Sequence, residues 1–303
     1  MLCSCPFRPL MSGGLTLIGL GLGDLKDITV RGLEAIKNAD YVYLENYTSL
    51  LVETSFEEMR AFYGASELII ADREFVEMNG PAEMISKAKT SRVCFLVVGD
   101  PFCATTHTDL VLRARAEGVE VSIVHNASIV SAVGCCGLQV YRFGEIISIP
   151  LWIGGWKPTS FYDKLVANAK RDLHTLCLLD IKVKEKNLVA LARGREGVYD
   201  APRFMTVMEA LSQLSEIEEE MGEGVVTSET RVVGLARVGR DDQVILSGTV
   251  GEFLSNPDLA AEKLGRPLHS LVICASTLHE LEQEFIDGFK LIVSKVPDHN
   301  IIS

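Results

Sequence analysis

VCFLVVGDPFCATTHTDLVLRARAEG, residues 93–118, passes from an unbroken apolar run through a Gly-Asp-Pro turn into a charged, periodic stretch. The run from Val93 to Val98, bounded by a turn, reads as a strand buried on both faces, and THTDLVLRARAEG reads as a helix closed by Gly118. A strand of that kind belongs to a parallel sheet covered by helices. The surrounding sequence repeats the pattern. LTLIGLGLGD (15–24) is a strand entering a glycine loop, and DITVRGLEAIKNAD is a helix with Asp27 or Thr29 as N-cap. YVYLE (41–45), LIIA (68–71) and VEVSIV (119–124) are strands, and PAEMISKAKT is a helix opened by proline. This β-α rhythm predicts a mostly parallel sheet with helices on both faces.

The rhythm changes near residues 125–130. NASIVSAVGCCGL is a helix of small residues, followed by short strands in EIISIP, HTLCLLDI, RVVGLARVG, QVILSGTV and SLVICAS, with a hairpin-like RDD between two of them. FYDKLVANAK, MEALSQLSEIEEEM and LHELEQEFIDGFKLIV are the intervening helices. The expectation is an α/β chain: residues 1–13 an N-terminal extension, 14–127 an N-terminal α/β domain, and 128–303 a C-terminal α+β domain with a mixed sheet.

Composition narrows the function classes. Among 303 residues, 41 acidic against 29 basic give a net charge of −12, which disfavours a nucleic-acid partner. No apolar run is long enough for a membrane span, and the N-terminus lacks the apolar core of a signal peptide. The eight cysteines include no C-x-x-C pair, and Cys3 and Cys5 lack zinc-finger partners, so reduced thiols in a cytoplasmic protein are expected. The acidic SEIEEEMGEG (215–224) reads as a solvated helix face or loop.

Open parallel sheets bind ligands beyond the carboxyl ends of their strands, so GLGLGD and GDPFCATTHTD point to an inter-domain cleft. Gly19, Gly21 and Gly23 miss the dinucleotide spacing by one position, although Glu45 supplies an acidic residue at the next strand end. Cys103 and His107 are spaced for one helix face, yet no third member completes a nucleophilic site. His107 and Asp109 lack further metal ligands, and no metal is expected. Thr105 or Thr106 as a helix cap accounts for the threonines, and His269 at a strand head reads first as a structural residue. KVKEKNL (182–188) reads as an exposed charged turn.

GLGLGDLKDITVRGLEAIKNADYVYLENYTS resembles the opening of the tetrapyrrole-methylase superfamily. GDPFCATTHTDL, HNASI, LHTLCLLDIKVKE, GLARVG and LGRPLHSLVI resemble its diphthine-synthase branch, in the eukaryotic form, from about Leu15 to about His279. Residues 1–12, segment 251–264 and the last twenty or so residues fall outside the likeness. The resemblance implies a two-domain tetrapyrrole-methylase-like fold, a homodimer, and S-adenosylmethionine in the inter-domain cleft, leaving as S-adenosylhomocysteine. It implies a substrate: the 3-amino-3-carboxypropyl group on a histidine of translation elongation factor 2, given three methyls on the amine and one on the carboxylate. Carried onto this sequence, the cofactor contacts fall on Leu22, Asp100, Cys103, Ser128, Ile129, Leu179, Val238 and His269. Cys103 stands where the family usually has glycine, and a left-handed backbone there would strain it. A different methylase of the superfamily, acting on a tetrapyrrole, would share the cofactor loops but not ATTHTDL or LLDIKVKE.

Methyl transfer from a sulfonium is an in-line displacement, in which positioning and exclusion of water supply most of the catalysis. The catalytic base is not identified by the sequence. Solvent is expected to take the amine's proton, with Asp100 orienting the cationic end of the cofactor.

Overall fold

The computed structural model describes residues 13–47, 51, 54–184, 195 and 197–291. Residues 1–12, with Cys3 and Cys5, most of KVKEKNL and the C-terminal twelve residues lie outside that range. Two compact units form. One takes the described residues up to Val130 with those of Val183–Pro202; the other takes Ser131–Lys182 with the described residues from Arg203 onward. Lys184, one of the described residues of Val183–Pro202, forms an ion pair with Asp72 of the first unit.

In the first unit β1 (Gly14–Gly19), β2 (Tyr41–Glu45), β3 (Ile69–Ala71), β4 (Arg92–Val97) and β5 (Val121–Val124) form one parallel sheet in the order β3-β2-β4-β1-β5. Period-two alternation sends successive side chains to opposite faces. Leu15, Leu17, Tyr43, Phe95 and Val97 pack with Met84 and Ile85 of helix Gly80–Ala88 and Leu110 of helix Thr108–Ala116. Ile18, Val42, Leu44, Cys94 and Leu96 pack with Ile36 of helix Val30–Lys37 and with Met59 and Tyr63 of helix Phe56–Tyr63. Each fully buried aromatic or aliphatic side chain stabilises by about 1.5–3 kcal/mol, so the two cores hold the central strands rigidly. The carboxyl-end loops are thereby held at fixed spacing.

The second unit carries β6 (Ile147–Ile149), β7 (Thr175–Leu179), the short pair β8 (Ile181–Lys182) and β9 (Arg203–Phe204), then β10 (Arg231–Ala236), β11 (Val244–Thr249) and β12 (His269–Ile273). Its main sheet, in the order β11-β10-β12-β7-β6, is antiparallel except for the β6–β7 pair. Helices Tyr162–Lys170 and Val207–Met221 pack on it through Leu165, Leu211, Leu214 and Ile217. The acidic stretch is the end of the second of these helices. Its Glu218 accepts Tyr162 Oη–H and the amides of Gly224, Val225 and Val226, so this carboxylate closes the helix end rather than facing solvent.

Two local expectations change. The helix from Glu280 ends at Asp287, because Phe289 and Leu291 exchange backbone hydrogen bonds with Ser247 on β11. Neither Thr105 nor Thr106 caps helix Thr108–Ala116. Its N-cap position is His107, and the Thr105 hydroxyl donates to the Pro101 carbonyl at 2.5 Å.

Candidate functional site

The carboxyl-end loops of the parallel sheet are tied directly to one another. Gly21 and Gly99 exchange two backbone hydrogen bonds, of 3.2 and 2.7 Å, joining the loop after β1 to the loop after β4. Such an approach needs bare glycine. A Cβ on Gly19 would lie 2.6 Å from the Gly99 carbonyl, and one on Gly21, whose φ is +83°, would lie 2.6 Å from Asp27 Cβ. Asp27 does not cap the following helix, which Thr29 does through its hydroxyl. Its carboxylate accepts the amides of Gly23 at 2.6 Å and Leu22 at 3.3 Å. Asn126, beyond β5, completes the link. Its Nδ2 donates to the Gly19 and Asp27 carbonyls at 3.0 Å each.

Asp100 lies at the centre of this arrangement and is only 5 % exposed. Its Oδ1 accepts Phe102 N–H at 2.9 Å, while Oδ2 accepts Asn126 N–H at 3.1 Å and faces His125 Nδ1 at 2.9 Å. Burial pushes the carboxyl up, but the Phe102 amide, the His125 ring and the Asn126 amide together hold it below the usual carboxylate range. One negative charge therefore ties the loop after β4 to the segment after β5. The same loop is pinned from within, because the Pro101 carbonyl accepts both Thr105 Oγ1–H and, at 2.9 Å, His107 Nδ1–H. His107 is 1 % exposed and packs edge-on against Phe95, an inward position that does not suit a base for Cys103.

Cys103 is half-buried, and its amide reaches the Asp100 carbonyl at 3.3 Å. The left-handed residue of this loop is its neighbour Ala104, at φ +59°, so the strain expected of a cysteine in a glycine position does not arise. Ser128 is buried and Ile129 half-buried just beyond Asn126, while Leu22 is half-buried in the first loop. Glu45 is buried, which removes it as an exposed ribose ligand.

In the second unit Leu179 ends β7, Val238 follows β10 and His269 begins β12. The antiparallel registers place these three positions along one edge of the mixed sheet. His269 uses both ring nitrogens: Nδ1 accepts Val207 N–H at 3.4 Å, and Nε2–H is shared between the Gly265 and Arg266 carbonyls at 3.1 Å. Beside Val238, Arg237 binds Asp242 Oδ2 at 2.8 Å and the Leu264 carbonyl at 2.8 Å, which braces the same edge.

Residues 14–254 match the family of Tetrapyrrole (Corrin/Porphyrin) Methylases. The diphthine methyl ester synthase of Mus musculus is 51% identical over 94% of this chain and 99% of its own length. That of Saccharomyces cerevisiae is 52% identical over 91% of this chain and 89% of its own. The crystal structure of a diphthine synthase superposes with a TM-score of 0.73 at 34% identity, covering 91% of this chain and 95% of that one. The chain belongs to the diphthine methyl ester synthases. It is an S-adenosylmethionine-dependent methyltransferase of diphthamide biosynthesis.

The first unit's loops fit such a cofactor. Bare Gly19 and Gly21 let the loops after β1 and β4 close on each other, and on them stands an ionised carboxylate, Asp100, held by an imidazole and amide N–H groups and able to face a cationic ligand. When bound, the cofactor supplies an electrophilic methyl on a positively charged sulfur. Of the residues inferred from sequence, Leu22, Asp100, Cys103, Ser128 and Ile129 lie on the first unit's loops, and Leu179, Val238 and His269 on the second unit's edge. His125 and Asn126 were not among them. Their signal was HNASI, read only at its last two residues.

Histidine burial makes stability depend on pH. Burial lowers the proton affinity of His107 against the opposing Pro101 carbonyl, and that of His269 against the carbonyls of Arg266 and Gly265. His174 is lowered likewise, burial outweighing its bond to Glu282. In the unfolded chain each titrates near the ordinary 6.5. Below that value the unfolded state binds protons that the native state refuses. Their contribution is full above about 6.5 and is lost as pH falls through the lower native values. Urea midpoints should therefore drop from pH 7.5 to pH 5.5. A flat profile would show these rings to be solvated.

Proposed function

We propose that this chain methylates the 3-amino-3-carboxypropyl-histidine intermediate on translation elongation factor 2, placing three methyls on the amine and one on the carboxylate. The observation that carries this reading is the identity of about half with named diphthine methyl ester synthases over more than nine-tenths of the chain. In this reading S-adenosylmethionine is held by Leu22, Asp100, Cys103, Ser128 and Ile129 from the first unit and by Leu179, Val238 and His269 from the second. Asp100 orients its cationic end. His269 borders the cofactor and, with both ring nitrogens engaged, takes no proton. The enzyme works in the cytoplasm as a homodimer, with no nucleic-acid or membrane partner; no helix among the described residues is long and apolar enough to cross a membrane.

The test is transfer of methyl groups from S-adenosylmethionine to elongation factor 2 carrying the unmethylated intermediate, followed by mass analysis of the modified peptide. Four added methyls, one of them released by mild alkali as expected of an ester, support the reading. Three methyls, all stable to alkali, would confine the enzyme to the amine. No transfer would overturn the substrate.

A further inference from the structure

We infer that His125, oriented by Asp100, is the general base that removes the proton from the substrate amine before each N-methylation. The inference rests on the substrate reading above and adds to it the group that handles the proton.

The geometry is that of a base held by a carboxylate. Asp100 is buried and ionised, its Oδ2 lies 2.9 Å from His125 Nδ1, and the imidazole itself is 68 % exposed. A carboxylate at Nδ1 fixes the proton on that nitrogen and leaves the lone pair on Nε2. Among the described residues Nε2 has no hydrogen-bond partner. The other histidines with a describable site differ. His107 is sealed in the core, and His174 and His269 each have both ring nitrogens engaged. His279 caps a helix through Nδ1. His125 thus combines an anionic orienting partner, an open nitrogen and a position at the carboxyl end of the sheet, directly after β5. The exposed Phe102 ring stands 6.2 Å away, an aromatic surface of the kind that receives methylated ammonium groups.

The chemistry requires such a group at the amine and not at the carboxylate. At neutral pH the amine is an ammonium with no lone pair. His125 Nε2 takes one proton, giving imidazolium and a neutral amine. The nitrogen lone pair then forms the N–CH3 bond as the methyl–sulfur bond breaks, and that electron pair stays on sulfur as a neutral thioether. The product is again a protonated amine until three methyls are present, so the sequence needs three deprotonations. His125 returns each proton to solvent through its exposed edge. The carboxylate is already an anion, and its ester forms with no proton to remove.

The two reactions can be separated in one enzyme. Mild alkaline hydrolysis of the finished product leaves elongation factor 2 with a trimethylated amine and a free carboxylate, a substrate on which only the ester can form. We would compare His125→Asn and His125→Ala with wild type at saturating S-adenosylmethionine, on this substrate and on the unmethylated intermediate. Cofactor affinity would be measured by calorimetry and folding by thermal melting. Asn places an amide N–H where Nδ1–H was, keeping the bond to Asp100 without a basic nitrogen. N-methylation should fall by about 100-fold or more in both variants, as for loss of a general base. In His125→Asn, which keeps the bond to Asp100, ester formation and cofactor affinity should fall far less than N-methylation. Retained N-methylation, an equal fall in both reactions, or rescue by Asn would each overturn the proposal. Failure of wild type on both substrates would instead overturn the substrate reading, before any variant is considered.

Discussion

Asp100→Ala should weaken S-adenosylmethionine binding by about tenfold and slow transfer at saturating cofactor by about 100-fold, the order of loss that follows a misplacement of about 1 Å at a reacting centre. The carboxylate holds Phe102 N–H through one oxygen and both Asn126 N–H and His125 through the other, so truncation frees two backbone donors at once. A buried donor left without a partner costs about 1–3 kcal/mol, and the loops after β4 and β5 relax to recover part of that loss. Asp100→Asn separates charge from shape. Its oxygen still serves Phe102, but its NH2 then meets the Asn126 amide, donor against donor, and the negative charge is gone. A reduced rate in Asn close to that in Ala makes the second acceptor oxygen and its charge together decisive, whereas recovery in Asn makes the shape decisive. Calorimetry and single-turnover rates decide between them, and unchanged affinity and rate in Asp100→Ala would remove the residue from the site. Because Asp100 and His125 act as a unit, adding Asp100→Ala to His125→Ala should reduce N-methylation by less than the product of the single effects.

The parallel sheet was readable because β1 and β4 are largely apolar runs that enter glycine-bearing loops, the pattern that burial on two faces imposes. What escaped had partners distant in sequence. Asn126 acts on Gly19 and Asp27, 107 and 99 residues away, and His125 acts on Asp100, 25 residues away. No local pattern signals such contacts, so HNASI yielded Ser128 and Ile129 but not the two residues that bind the loops together.

Helix Phe56–Tyr63 is the opposite case. Its capping box, Ser55 with Glu58, and its closing Gly64 stand in the sequence, and only the weak run of apolar residues hid it. The threonines after Cys103 show a local rule losing to a neighbour. A hydroxyl suited to an N-cap is drawn instead to the Pro101 carbonyl, which the sharp turn at Asp100 brings within reach. The concern over Cys103 had the right kind of strain at the wrong residue, since Ala104 carries the positive φ.

The largest expected loss of stability comes from Glu282, a residue that reads in sequence as one more charge in the first turn of a helix. In the second unit its carboxylate is fully buried and accepts four donors. Oε1 takes Gln139 N–H at 2.8 Å and His174 Nε2–H at 3.1 Å; Oε2 takes His279 N–H at 2.8 Å and Arg142 Nη1–H at 3.0 Å. His174 is neutral, because its Nδ1 accepts Ala275 N–H at 2.9 Å and its proton must sit on Nε2. Glu282→Ala leaves those donors facing a cavity and the Arg142 charge with Asp172 alone, at a cost of about 3–5 kcal/mol. Glu282→Gln should lose less, since its one oxygen still serves one pair of donors while its NH2 opposes the other. Burial raises the Glu282 carboxyl, and the amides of Gln139 and His279 with the His174 ring overcome this and hold it below the ordinary 4.5. The ionised group's contribution is therefore complete above that value and is lost as pH falls through the lower native one. The deficit of Glu282→Gln relative to wild type, read from urea midpoints, should be greatest near neutrality and shrink on acidification. A deficit that does not change with pH would mean that the wild-type carboxyl is already protonated and that shape, not charge, holds this corner of the second unit.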